Sequence, residues 1–373
     1  MFKIMVLGAG GMGQGACHYL SLHDLVEKFV CYDIFQDNLL KCEQYLGKKG
    51  AVQHLDAVDS KKLVRMMAEC DGIVNTLPYA RIPEITRAAI AAKKSMIDLG
   101  GNDEVVAKQK AMHQLAGQAG VTIVPACGLA PGIITDLGFH LQKRFNAEII
   151  AMYCGGLPQE PRGELNHSIF FNVEGLYNEY AEPSLIIRNG RVKEAPPLCP
   201  LGDIVFNTPA FNGRLEVALT HGAFDANPNL WKGSQNVFYA TLRYPGHFEK
   251  VREMIKNLPR GQCVGAFQQK MPTGGKDIIV LQVVAAKMTK KSRNAAIAEI
   301  IDFYDEETGL SAMQRCTAFP AAETLLQVLS SKRWPKGVVH HEPYVNMKKM
   351  ITALSRHNLR VKISAETNGE INT

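Results

Sequence analysis

A glycine-rich turn, placed between an apolar segment and a helical segment near the N-terminus, has the spacing of a phosphate-binding loop. Gly8, Gly10 and Gly13 form the pattern G-x-G-x-x-G. The first glycine of such a turn permits a tight bend, the second lets the backbone approach a pyrophosphate, and the third lets the helix pack on the strand. The free N–H groups of Gly11 and Met12, in the first helical turn, would then face the phosphates. The spacing therefore predicts a dinucleotide-binding site.

An acidic residue follows at the position expected for ribose recognition. The apolar segment 29–32 ends in Asp33, and no Lys or Arg occurs after Asp33 until Lys41. A carboxylate here can accept hydrogen bonds from the ribose hydroxyls of adenosine and would repel a 2′-phosphate. This pattern predicts NAD as the cofactor in preference to NADP.

The composition is that of a globular protein of two domains. The chain has 373 residues, of which 46% are hydrophobic and 21% charged, and its net charge of +6 is scattered. The densest basic run, residues 290–293, has no interleaved aromatic residues, so we expect no nucleic-acid partner. No apolar run reaches transmembrane length, and Met1 leads directly into a strand-like segment. We expect no membrane partner and a cytoplasmic location.

The cysteines and histidines show no metal-binding spacing. Nine cysteines are dispersed without a C-x-x-C pair, and the eleven histidines include no H-x-x-x-H pattern. This usage is typical of reduced thiols that occupy small core positions. We expect neither a metal site nor a disulfide framework.

Strand-like and helix-like segments alternate from the N-terminus to about residue 125. This alternation predicts an α/β fold whose first domain is a doubly wound parallel sheet of the Rossmann type. Ligands of such sheets lie outside the carboxyl ends of the strands. Four residues at predicted strand ends, Asp56, Leu77, Pro78 and Asp98, therefore join the candidate cofactor-binding residues.

The pattern changes after residue 128. We predict a Rossmann domain over residues 1–128 and a substrate-binding and dimerisation domain with a mixed sheet over residues 129–335. Residues 336–373 are expected to return to the first domain. Within the second domain, Asn189-Gly190 lies between strand-like segments and predicts a hairpin turn.

Several short strings follow one another over most of the chain: LPY at 77–79, DLGG at 98–101, CGLAPG at 127–132, CGGLP at 154–158, EGLYNEY at 174–180, LE at 215–216 with Thr220, and TLRYPGH at 241–247. Together they resemble the saccharopine dehydrogenase (saccharopine reductase) family, and within it the lysine 6-dehydrogenase-like enzymes. The resemblance implies a Rossmann domain, a central α/β domain that mediates homodimerisation, and a C-terminal segment packing on the first domain. It also implies NAD(P)-linked oxidation of a C–N bond in a lysine-like substrate.

The sequence departs from the family pattern at one informative position. Saccharopine reductases usually carry Asp before the Pro-Gly pair that is Pro131-Gly132 here, and this chain has Ala130. This departure and the short length favour the lysine 6-dehydrogenase branch.

Candidates for proton transfer follow predicted strand ends or lie in turns. Tyr79 would place a phenol beside the nicotinamide, although a hydrogen-bonded turn tyrosine is the alternative. Cys127 would line the pocket or exchange a proton, whereas free cysteines are more often inert core residues. His221 and His247 are possible proton shuttles because histidine titrates near neutrality.

A substrate that is an amino acid needs partners for its carboxylate and its amine. Arg243 is the preferred carboxylate anchor, since a guanidinium binds a carboxylate through two hydrogen bonds. Arg214 and Arg315 are alternatives. Glu174 and Glu216, each in a family-like string, are candidates to bind the amino group.

These residues favour an NAD-dependent dehydrogenase that converts the terminal amine of lysine, or of a close relative, to an aldehyde or cyclic imine with release of ammonia. One alternative is an opine-type dehydrogenase acting on saccharopine or carboxynorspermidine. Another is a non-catalytic NAD-binding sensor.

Overall fold

The computed structural model describes residues 1–100, 102–288 and 293–368. Gly101 and residues 290–292 of the basic run lie outside the described residues.

The elements of the first part of the chain alternate strictly between strand and helix until α6: β1 (Phe2–Leu7), α1 (Gly11–Leu22), β2 (Val26–Asp33), α2 (Gln36–Cys42), β3 (Gly50–His54), α3 (Ser60–Ala68), β4 (Gly72–Asn75), α4 (Ile82–Ala91), β5 (Ser95–Asp98), α5 (Asp103–Lys110), α6 (His113–Gln118), β6 (Thr122–Val124) and α7 (Ile133–Phe145).

The second part of the chain is richer in strands. Its elements are β7 (Ile149–Pro158), α8 (Val173–Ala181), β8 (Ser184–Arg188), β9 (Arg191–Ala195), β10 (Pro200–Asn207), β11 (Asn212–Leu219), β12 (Asn236–Arg243), α9 (His247–Asn257), α10 (Arg260–Lys270), β13 (Asp277–Met288), β14 (Arg293–Phe303), α11 (Ala312–Ser330), β15 (Gly337–Val338), α12 (Met347–Ser355) and β16 (Lys362–Asn368). Within the described part of the chain, the helices are too short or too polar to cross a membrane.

The first compact unit comprises residues 1–136 and 314–358. Its parallel sheet has the strand order β15-β6-β5-β4-β1-β2-β3. The order reverses between β1 and β4, and this switch point is where such sheets bind ligands. Apolar strand residues such as Ile73 and Ile123 are fully buried beneath the helices. The doubly wound sheet expected from the alternating pattern is confirmed.

The second unit comprises residues 137–313 and 359–373. Its sheet runs β10-β11-β12-β7-β13-β14-β16, with β8 and β9 attached beside β12. The β7–β12 pair is parallel and the other pairs along this path are antiparallel, so the sheet is mixed, as expected. Asn189 and Gly190 both have positive φ and close the hairpin between β8 and β9.

The chain returns to the first unit earlier than the expected boundary at residue 336. The return begins within α11, because this apolar helix packs against the parallel sheet. A Cβ on Gly72 of β4 would lie 2.9 Å from Leu329 and 3.1 Å from Leu325. The C-terminal segment also crosses back, since β16 pairs with β14 of the second unit.

Candidate functional site

The glycine turn of the first unit joins β1 to α1 with very little space on one side. Gly8 has φ +95°, and a Cβ on Gly13 would lie 1.8 Å from the Gly8 carbonyl oxygen. Among the described residues, a Cβ on Gly10 would meet nothing within 4 Å. Gly11 and Met12 form the first turn of α1, where backbone N–H groups lack intrahelical partners. The turn is therefore closed against its own strand and open on the side where a pyrophosphate would lie.

Asp33 lies at the carboxyl end of β2, directly beside this turn. Its Oδ2 accepts a hydrogen bond from the backbone N–H of Ala9 at 2.7 Å, and its Oδ1 accepts one from Phe35 at 2.8 Å. The amide of Asn38 also donates to Oδ2, at 3.2 Å. These bonds fix the carboxylate next to the glycine turn.

The segment after β4 lines the other side of the turn. Thr76 donates from its hydroxyl to the carbonyl oxygens of Leu7 and Gly8, at 2.9 and 3.0 Å. Leu77 and Tyr79 are half-buried and Pro78 is exposed. These residues remain available to a ligand at the sheet edge.

Two other predicted cofactor contacts already have partners within the protein. Asp56 is exposed and accepts a hydrogen bond from the N–H of Val58. Asp98 is fully buried and accepts bonds from Gly100, Ala126 and the amide of Gln109. Burial raises the pKa of Asp98 to about 6. Both carboxylates thus hold turns at strand ends.

Cys127 and a buried ion pair lie in the same unit. Cys127 is 1% exposed, and burial raises the pKa of its thiol well above the usual value, so it is a neutral thiol at physiological pH. His341 Nδ1 lies 2.7 Å from Asp136 Oδ1, and both side chains are buried. Although burial opposes its charged form, the carboxylates of Asp136 and Glu342 raise the pKa of His341 to about 9.

This ion pair was missed by the sequence analysis, because its partners are 205 positions apart and no local pattern joins them. Asp136 Oδ2 and Glu342 Oε2 are buried and find no hydrogen-bond partner among the described residues. Two carboxylate oxygens therefore remain available beside a protonated imidazole.

In the second unit, Arg243 is the centre of a buried polar cluster at the end of β12. The side chain is 3% exposed, and its Nε donates to the hydroxyl of Tyr180 at 2.6 Å. Nη1 donates to the Leu242 carbonyl oxygen at 2.9 Å, and Nη2 lies 3.7 Å from Glu179 Oε1. A guanidinium has five N–H donors, so this arrangement leaves donors for a further carboxylate.

His247 completes this cluster in its neutral form. Burial, with the charge of Arg243, lowers the pKa of His247 to about 3. Its Nδ1 lies 2.7 Å from the Leu165 carbonyl oxygen and its Nε2 lies 3.0 Å from the Tyr180 hydroxyl. Nδ1 therefore carries the proton, and Nε2 accepts the hydroxyl proton of Tyr180. A ring held neutral in this way orients Tyr180 and is unsuited to shuttle protons at pH 7.

The structure gives the two predicted glutamates other partners. Glu174 forms an ion pair with Arg260, with 2.7 Å between Oε2 and Nη2. Glu216 accepts hydrogen bonds from the N–H groups of Gly246 and Phe248, at 3.1 and 2.5 Å, and so caps α9. The carboxylate beside the predicted anchor is that of Glu179, which the sequence analysis did not single out.

The alternative site residues are engaged elsewhere. Arg214 pairs with Asp203, and His221 lies 3.1 Å from Glu182. Arg315 belongs to the first unit and donates to the carbonyl oxygen of His357 at 3.3 Å.

Comparisons with known proteins agree with this architecture. Residues 4–124 match the family model of the saccharopine dehydrogenase NADP binding domain, and residues 128–359 match that of the saccharopine dehydrogenase C-terminal domain. Mitochondrial alpha-aminoadipic semialdehyde synthase of Bos taurus is 28% identical over 203 residues, which are 52% of this chain and 21% of that protein. The chain thus spans about a fifth of this relative. Saccharopine dehydrogenase [NADP(+), L-glutamate-forming] of Saccharomyces cerevisiae is 21% identical over 274 residues, covering 68% of this chain and 57% of that protein.

Two solved structures share the fold. Saccharopine dehydrogenase (L-Glu forming) from Saccharomyces cerevisiae superposes with a TM-score of 0.75 at 15% identity, covering 98% of this chain and all of that chain. Homospermidine synthase from Legionella pneumophila, solved in complex with NAD, gives a TM-score of 0.68 at 12% identity, with 98% of this chain and 91% of that chain covered.

Proposed function

Because this chain belongs to the saccharopine dehydrogenase family, we propose that it is a pyridine-nucleotide-dependent oxidoreductase that acts on a C–N bond of an amino acid. The family models confirm the resemblance expected from the sequence. The observation that carries the proposal is the glycine turn with its acidic neighbour. Its open side at Gly10, the first turn of α1 and the Asp33 carboxylate match the pyrophosphate and ribose of a dinucleotide.

We propose NAD rather than NADP as the cofactor. Asp33 places a negative charge where a 2′-phosphate would lie, and the following residues up to Lys41 supply no cation. The family model and the yeast relative are named for NADP, so the choice needs a direct measurement. Initial rates and dissociation constants for the two nucleotides would decide it, and tighter binding of NADP would overturn the assignment.

The substrate we propose is lysine or a lysine-like amino acid, oxidised at its terminal amine. Arg243 would bind the α-carboxylate, because its buried guanidinium has N–H donors that no described residue takes up. When bound, the nicotinamide supplies the hydride acceptor. Ala130, where saccharopine reductases usually have Asp, favours this substrate over saccharopine.

Saccharopine is the second candidate, since the curated relative and the solved structure from Saccharomyces cerevisiae are both named saccharopine dehydrogenase. Lysine and saccharopine should be compared under identical conditions, with the reduced nucleotide measured optically and the products identified by mass spectrometry. Lysine oxidation with ammonia release supports the first proposal. Glutamate release from saccharopine would replace it, and tight NAD binding without turnover of either compound would favour a sensor.

The role of Arg243 can be tested separately. Arg243→Lys keeps the charge but removes the planar pair of donors, so we expect kcat/KM for the amino acid to fall at least tenfold while NAD affinity is retained. Arg260→Lys is the matched control, because Arg260 lies on the surface of the same unit and pairs with Glu174. Unchanged substrate kinetics in Arg243→Lys would remove this residue from the site. A homodimer is part of the same proposal, and light scattering would test it.

A further inference from the structure

Three cysteines of the first unit form a cluster that the proposed activity does not use. Cys17 lies in α1, Cys31 in β2 and Cys42 at the end of α2. Their Sγ atoms all lie within 4.8 Å of one another, and each side chain is 0% exposed. The cluster was not expected from the sequence, because its members come from three elements and form no C-x-x-C pair.

The spacing suits a metal ion bound by three sulfur atoms. Zinc–sulfur bonds are about 2.3 Å long, so a zinc ion at the centre of a triangle places its sulfur ligands about 4.0 Å apart. Movements of less than about 1 Å would bring the three Sγ atoms to that spacing. A disulfide would join only two of these cysteines and leave the third without a partner.

We propose that Cys17, Cys31 and Cys42 form a binding site for one thiophilic divalent metal ion of the zinc class. Zn²⁺ and the three side chains form a trithiolate complex of net charge −1, and each cysteine that starts as a thiol releases one proton to solvent. Soft thiolate ligands select such ions over magnesium or calcium.

The site lies directly beneath the glycine turn. Cys31 Sγ donates to the Gly8 carbonyl oxygen at 3.6 Å, the same oxygen that contacts Thr76. Binding of the metal would join α1, β2 and α2 around this turn. The metal would therefore stabilise the first unit and raise its affinity for a nucleotide, although binding of the metal itself does not depend on the proposed function.

The test uses Cd²⁺ as a spectroscopic probe on the full chain, reduced and kept anaerobic. We expect one equivalent to bind with a sulfur-to-cadmium charge-transfer band, and X-ray absorption of this complex to show three sulfur neighbours. Zn²⁺ in large excess should compete with Cd²⁺ for the site and reduce this band. Alanine variants of Cys17, Cys31 and Cys42, made singly, should weaken binding at least tenfold. Cys70→Ala is the control, since Cys70 is a buried cysteine of the same unit outside the cluster.

Failure of the wild-type protein to bind one equivalent, or fewer than three sulfur neighbours in the absorption spectrum, would overturn the proposal. These two measurements need no variant, so they hold even where a substitution prevents folding. Full binding by all three single variants, or equal weakening by Cys70→Ala, would also overturn it.

Discussion

Gly13→Ala and Gly10→Ala separate the structural and ligand-binding roles of the glycine turn. In Gly13→Ala the new Cβ would lie 1.8 Å from the Gly8 carbonyl oxygen and 3.2 Å from Thr76 Oγ1. Ordinary contacts between heavy atoms begin near 3.5 Å, so the first distance is short by about 1.7 Å. The obstructing atom is backbone of a fixed turn, and helix α1 has to move away from β1.

The energetic cost of that movement is large. Overpacking a well-packed site costs about 1–3 kcal/mol, and we expect about 3 kcal/mol because a backbone atom is displaced. At roughly 2–4 °C per kcal/mol for a unit of this size, Tm falls by about 6–12 °C. In Gly10→Ala the new Cβ has no described atom within 4 Å, and the φ of −66° at this position suits alanine. We expect Tm to be unchanged or slightly higher, because alanine restricts the unfolded chain.

For nucleotide affinity, in contrast to stability, we expect Gly10→Ala to be the impaired variant. The methyl group of Gly10→Ala enters the space predicted for the pyrophosphate, so we expect Kd for NAD to rise at least tenfold in a fully folded protein. Thermal unfolding and isothermal titration calorimetry of both variants provide the measurements. Wild-type affinity in Gly10→Ala would refute close approach of the cofactor at this turn, and wild-type stability in Gly13→Ala would refute the packing.

Three further substitutions test the charges and hydrogen bonds of the two units. Asp33→Ser removes the anion near the ribose position, so the ratio of NADP to NAD affinity should rise at least tenfold in equilibrium titrations. His341→Gln leaves the buried Asp136 carboxylate without its cation and should cost about 3–5 kcal/mol in urea unfolding. The pKa of His341 is raised from 6.5 to about 9, so protonated His341 contributes its full stabilisation of the fold below about pH 6.5, and this contribution is lost as pH rises through 9. The stability of His341→Gln should not show this decrease between pH 6.5 and 9. Tyr180→Phe removes the hydroxyl that accepts the hydrogen bond from Arg243 Nε. We expect the free energy of unfolding to fall by about 1–3 kcal/mol, and an unchanged Tm would contradict this hydrogen bond.

The parts of the fold that depend on residues close together in the sequence could be predicted from it. The glycine turn, the strand ending at Asp33 and the alternation of strands and helices each depend on neighbouring residues, and the first sheet follows them. The Asn189-Gly190 hairpin is of the same kind, since both positions need positive φ. The return of α11 to the first unit could not be predicted in this way. An apolar helix can pack on either sheet, and only the facing surface, here Gly72 with Leu325 and Leu329, decides which one.

Contacts between distant residues explain what the sequence analysis missed. His341 and Asp136 are 205 positions apart, and Tyr180 and Arg243 are 63 apart. Such pairs form only after the elements pack, so no spacing rule can find them. The three clustered cysteines were read as separate core residues for the same reason, because α1, β2 and α2 bring them together only in the folded unit.

The two glutamates and the arginine show why a family-like string does not define a residue's role. Glu216 uses both carboxylate oxygens on the N–H groups that begin α9, and Glu174 pairs with Arg260 at the surface. A carboxylate already engaged in this way would have to break bonds before it could bind an amine. Arg243 differs because a guanidinium has more donors than its protein partners use, while Tyr180 and Glu179 fix its orientation. Arg243 is therefore a stronger candidate for a substrate contact than Glu174 or Glu216, because it is held in place and still has N–H groups to donate.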